Sequence, residues 1–112
     1  MLSAPTATTS REGDRATVHV GGYLSTSAQD ALGPAFAAAA EAPRILTVFA
    51  ADSFLNSAGI GVLLRLVLPL KDQGKEVRIV HPSKHFRRVF AIVGLEQDVP
   101  VFASEEQALA GW

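Results

Sequence analysis

The chain has 112 residues, 48% of them apolar, and a formal net charge of −1. That length suits one domain with one core, and the balanced charge leaves no basic surplus for a nucleic-acid footprint. With no cysteine, disulfides and thiolate metal sites are excluded.

Taken in chain order, residues Met1 to Gly13 are small and polar. They predict a loose lead-in, or an edge strand, ahead of a single domain over 14–112. Met1 to Arg11 has no basic start followed by an apolar core, so no signal peptide is expected. Ala16-Thr17-Val18-His19-Val20 alternates and stops at Gly21-Gly22, the pattern of a strand and turn. Ser25-Thr26-Ser27 offers caps for a helix reaching about Ala40. Pro34 interrupts it, so the helix either kinks or starts afresh with Gly33 as cap and Pro34 at its first position.

Pro43 breaks the chain, and Ile45 to Ala50 is an apolar run of strand length, expected to be covered on both faces. A long helix follows from about Ser57 to Gln73, with Gly74 as its stop. Its apolar stretch, Ile60 to Leu70, contains Arg65 and is too short to span a bilayer. The expected setting is the cytoplasm, without direct membrane insertion. Glu76 to Val80 predicts the next strand. Ser83 caps a short helix carrying Phe86, Val89, Phe90 and Val93 on one face, and Gly94 ends it. Val99 to Phe102 predicts a short strand. Ser104-Glu105-Glu106-Gln107 has capping-box spacing and opens a last helix to Trp112. Strands that alternate with helices argue for an α/β sheet.

The most informative stretch is Leu55-Asn56-Ser57-Ala58-Gly59-Ile60, at the change from strand to helix. A small hydroxyl there has a lone pair for the free N–H groups of the first turn. It also stands at the positive end of the helix dipole, where added negative charge is tolerated. Such a hydroxyl is either a plain cap or a switch that carries a phosphoryl group, and the two are compatible.

Four stretches in this order resemble the STAS domain, the family of bacterial anti-sigma-factor antagonists. Gly22-Tyr23-Leu24 is similar to the family's Gly-x-Leu turn. Phe54-Leu55-Asn56-Ser57-Ala58-Gly59-Ile60-Gly61-Val62-Leu63 is similar to its central loop, an apolar pair, Asp-Ser-Ser-Gly and an apolar helix start. Val93-Gly94-Leu95 resembles the end of its third helix, and Val101-Phe102 with Glu105 and Ala108-Leu109 its closing strand and helix. The resemblance covers residues 14 to 110. It implies a mixed sheet of four or five strands with helices mainly on one face. It also implies an anti-sigma factor or serine kinase as partner, with a phosphatase. Carried over by position, the phosphoacceptor serine is Ser57. The docking surface is Asn56, Ser57, Ala58, Gly59, Gly61, Leu64, Arg65, Leu68 and Ser25.

The chain departs from the family pattern at acidic positions. The loop Asp is Asn56, the second serine is Ala58, the acid after Gly-x-Leu is Ser25, and the Asp within the third strand is Val48. Asn56 keeps the cap acceptor but not the charge. That pattern suits a second role open to STAS-like domains: an accessory subunit on a transporter ATPase, with no phosphorylation.

The long helix places Leu63, Leu66, Val67 and Leu70 on one face with Ile60 beside them, and Leu64 and Leu68 off it. Those two leucines mark either a broad core contact or an apolar flank for a partner. Pro69 removes one bond to the Arg65 carbonyl, so a kink or loosening is expected. His81 and His85 are four apart, but Pro82 and Ser83 place His81 ahead of the helix, and a solvent or capping role is expected. Lys84, His85, Arg87 and Arg88 form a basic cluster that is either a solvated face or a site for an anionic patch on a partner. No nucleotide loop, nucleophile elbow or other catalytic set is visible, so a non-enzymatic binding module is expected, with no cofactor or metal. A homodimer is a further possible assembly.

Overall fold

The computed structural model describes residues 3–112, leaving out the side chains of Leu95 and Glu96. The elements are β1 (Thr6–Glu12), β2 (Arg15–Gly21), β3 (Tyr23–Leu24), α1 (Ala28–Ala39), β4 (Arg44–Phe49), β5 (Phe54–Leu55), α2 (Ser57–Asp72), β6 (Glu76–Val80), α3 (Lys84–Ile92), α4 (Leu95–Asp98), β7 (Val101–Phe102) and α5 (Glu105–Leu109). Five strands form one mixed sheet in the order β1-β2-β4-β6-β7. β1 and β2 are an antiparallel hairpin, and the pairs β2–β4, β4–β6 and β6–β7 are parallel, joined by helical crossovers. Residues 6–12 are thus an edge strand of the sheet; Met1 and Leu2 lie outside the described residues.

The expected fold class is the one observed. The inward side chains of the parallel strands, Val18 and Val20, Ile45 and Phe49, Val77 and Ile79, bury against Leu32 and Phe36 of α1, Val62, Leu63 and Val67 of α2, and Phe86 and Phe90 of α3. On the other face Leu46 and Val80 are covered by Ala108 of α5, with Trp112 packed beside them. β4 is therefore covered on both faces, which is why it reads as a continuous apolar run.

Local signals place most element ends. Ser83 and Ser104 cap α3 and α5 by accepting from the N–H groups of Phe86 and Gln107. Gly74 and Gly94, both with positive φ, follow α2 and α3. Other expectations are corrected. α1 is continuous through Pro34, with no restart at Gly33, and Ser27 stands at its N-cap without a side-chain capping bond. α2 runs three residues past Pro69, which costs only the bond to Arg65 near a helix end. The last helix stops at Leu109, short of Trp112, and the α4 turn was not foreseen. Val93 is exposed rather than part of the buried face of α3, which comprises Phe86 and Phe90.

Candidate functional site

The site is built where the chain leaves the C-terminal ends of the central strands. After β2, Gly22 takes a positive φ, and a side chain there would overlap the Ala4 carbonyl, so only glycine fits the turn. The next two residues, Tyr23-Leu24, pair in parallel with Phe54-Leu55 as a small second sheet. Phe54 N–H donates to the Gly22 carbonyl at 3.0 Å, and Asn56 N–H to the Leu24 carbonyl at 3.1 Å. These bonds fix the entry into α2.

Asn56 is the cap of α2. Its Oδ1 accepts from Gly59 N–H at 2.8 Å, and its Nδ2 donates to the Tyr23 hydroxyl at 3.0 Å. Its carbonyl accepts from Ile60 N–H at 3.0 Å. Ser57 is the first helical residue and is exposed, as is Ala58. The hydroxyl of Ser57 is thus relieved of the capping role that the sequence pattern allowed it. The Asn56 amide already satisfies the third N–H of the turn, and the carbonyl the fourth. The first two N–H groups point out at the positive end of the helix, beside Ser57.

An aromatic row borders this turn. The Tyr23 and Phe54 rings stack at 5.5 Å, and Phe54 meets Phe86 of α3 edge-on at 5.3 Å. Phe54 is 44% exposed, a large apolar ring on the surface three residues before Ser57. Behind the row, His81 is fully buried. It stacks on Phe49 at 5.0 Å and contacts Phe86 and Phe90. This corrects the expected solvent role of His81, although part of the capping role survives: its Nδ1 accepts from Ser83 N–H at 3.1 Å. Burial, with the nearby positive charge of Arg87, lowers its pKa from 6.5 to about 4. His85, by contrast, is exposed on α3. Among the described residues no cluster of three or more metal-ligating side chains occurs.

The remaining named residues are scattered. Gly59 is buried under the Leu24 carbonyl and shapes the turn rather than its surface. Ser25 is half-buried, its hydroxyl 3.4 Å from that of Ser27. Along α2, Gly61 is half-buried and Arg65 exposed. Leu64 and Leu68 are half-buried and packed on the margin of the core, so each combines a partial core contact with a partly open apolar surface. Leu66, assigned to the core face by periodicity, is only half-buried, and Val62, which periodicity left off that face, is buried instead. The basic cluster is divided: Arg87 donates to the carbonyls of His81 and Pro82, both at 2.9 Å, while Lys84, His85 and Arg88 face solvent. The sequence reading passed over Tyr23, Phe54 and His81 as site residues. Tyr23 and Phe54 lie inside the two quoted motifs, and an aromatic in each is the signal that could have found them.

The sequence model of the family described as "Mlab, STAS domain" matches residues 7–103. Among solved structures, an anti-sigma factor antagonist from Mycobacterium paratuberculosis is similar with a TM-score of 0.80 and 22% identity, over 96% of this chain and 92% of that one. The phosphorylated form of the Bacillus cell fate determinant SpoIIAA is similar at 0.67 and 19% identity, over 94% and 97% of the two chains. The unphosphorylated form of the anti-sigma factor antagonist SpoIIAA is similar at 0.65 and 18% identity, over 94% and 96%. At these identities the likeness is one of fold. No match was found among curated proteins.

Proposed function

The chain belongs to the STAS domain family, and from that premise we propose that it is a non-enzymatic binding module, an anti-sigma-factor antagonist in a partner-switching pathway. The partner is an anti-sigma factor or serine kinase, and Ser57 is the phosphoacceptor, reset by a phosphatase. The observation that carries the reading is the division of labour at the start of α2. Asn56 does the capping, and the exposed Ser57 beside it is left for other chemistry. A phosphoryl group on Ser57 brings about two negative charges to the docking surface, three residues after the apolar ring of Phe54, and so releases the partner. The cytoplasm is the setting this role requires. Among the described residues no helix is long and apolar enough to cross a membrane.

One observation favours a second reading. The amide of Asn56 is held on both sides, by Tyr23 and by Gly59 N–H, and offers no charge to organise a phosphoryl acceptor. An accessory subunit that contacts a transporter ATPase needs the surface but not the charge.

Capture of partners from a lysate of the source cells, with mass spectrometry of Ser57, tests the two. The antagonist reading expects a serine kinase or anti-sigma factor and a phosphorylated fraction of Ser57. Ser57→Ala then abolishes the modification and leaves binding largely intact, and Asn56→Asp speeds phosphorylation. A transporter ATPase recovered with Ser57 unmodified would replace it with the accessory reading.

A further inference from the structure

Among the described residues, Thr47, Ser53 and His81 are the buried polar side chains, and His81 is the titratable one. Its contacts run in two directions. On one side Nδ1 accepts from the backbone N–H of Ser83, the cap of α3. An imidazole that accepts at Nδ1 carries its proton on Nε2. On the other side that Nε2 lies 3.5 Å from Ser53 Oγ, which itself donates to the Ala50 carbonyl at 2.7 Å. The Ser53 hydroxyl is therefore free to accept. The donors run head to tail from Ser83 through His81 and Ser53 to Ala50, joining the start of α3 to the loop that leads into Phe54 and Ser57. The edge-on contact of Phe86 with Phe54 joins the same two segments on the outside.

We propose that His81 is a positioning residue for the Ser57 turn: neutral inside the core, it ties the Ala50–Phe54 loop to the start of α3, so that Ser57, Phe54 and the first turn of α3 meet a partner as one fixed surface. The consequence for binding rests on the docking role proposed for Ser57; the tie itself does not. A second proton on the ring would occupy Nδ1 and turn Ser83 N–H into an unpaired, part-buried donor. The depressed pKa of His81 accords with a ring that stays neutral at ordinary pH. The charged group against it is Arg87 on α3, at the His81 carbonyl. Phe49 of β4 and Phe86 and Phe90 of α3 bring no charge, and β7 offers only the Phe102 carbonyl to His81 N–H. Lys84 and His85 lie on the solvent side of α3, and Asp52 is the exposed carboxylate in the facing loop.

Nitrogen NMR of the intact protein tests this directly. At pH 7 the His81 ring should show a bare Nδ1 and a protonated Nε2. In an Asp52→Asn background, which removes the loop carboxylate, the amides of Ser53, Phe54 and Ser57 should shift with the same midpoint as the His81 ring, near pH 4. His81→Phe keeps the aromatic packing and drops both polar contacts. Amide exchange over Ser53 to Gly59 should then quicken about tenfold, the size of one lost buried hydrogen bond. Should that variant fail to fold, Ser53→Ala should give the same quickening at the turn. A proton on Nδ1, or turn amides that ignore both the titration and the substitutions, overturns the proposal. An intact tie with no partner captured would count against the docking role alone.

Discussion

Gly59 passes directly under the backbone carbonyl of Leu24, and a Cβ at Gly59 would overlap both the oxygen and the carbon of that group. The carbonyl is itself engaged, since it accepts from Asn56 N–H, so it cannot turn away without leaving a partner behind. One close approach thus locks β3 to the first turn of α2 and sets the height at which Ser57 emerges.

That approach can be weighed against helix propensity. Alanine is favoured over glycine by about 1 kcal/mol inside a helix, whereas overpacking against backbone costs about 1–3 kcal/mol or more. At Gly59 the clash should win, and Gly59→Ala should lower stability to urea. At Gly61, where a Cβ meets nothing within 4 Å, propensity should win, and Gly61→Ala should raise stability by up to about 1 kcal/mol. Equal effects at the two positions would sink the argument.

Thr47 lies in the middle of β4, fully buried, and its Oγ1 has no hydrogen-bond partner among the described residues. A buried, unpaired hydroxyl costs about 1–3 kcal/mol, and valine has nearly the same shape. Thr47→Val should therefore stabilise the protein by that order in chemical denaturation. A loss of stability would mean that the hydroxyl has a partner after all.

A negative charge on Ser57 should affect binding and folding in opposite senses. At the first position of α2 it faces the positive end of the helix dipole, worth about 0.3–1 kcal/mol at an exposed site. Ser57→Asp should raise the melting temperature slightly while weakening capture of the partner. A clear fall in melting temperature would mean that release acts through unfolding of the turn and not through the surface.

The buried histidine gives stability a defined pH dependence. The folded pKa of His81 is about 4 against 6.5 for the free side chain. Between those values the unfolded chain binds the extra proton, so stability rises with pH. The contribution is complete above about 6.5, declines as pH falls toward 4, and is gone below it. A shift of this size is of order 3 kcal/mol. Carboxylates titrate as well, so the quantity to measure is the difference between the wild type and His81→Phe across pH 4–7. A pH-independent difference would refute the assignment.

Much of this fold is written in local pattern. β2, β4 and β6 were legible because side chains of parallel strands are buried by helices and must be apolar. The caps at Ser83 and Ser104 and the stop at Gly74 were legible because each satisfies backbone groups within three or four residues. The turn around Asn56 and Ser57 was visible for the same reason, down to the residue pair but not to which of the two caps. That choice depends on where the Tyr23 hydroxyl stands to receive the Asn56 amide, 33 residues away in sequence. Long-range packing likewise decided His81. Beside Pro82 it looked like a solvent residue, and only the closing of Phe49, Phe86 and Phe90 around it made it part of the core. Leu64 and Leu68 gained partial cover in the same way. Periodicity assigns a side chain to a face of its own helix, whereas cover comes from neighbours that the topology brings up from elsewhere in the chain.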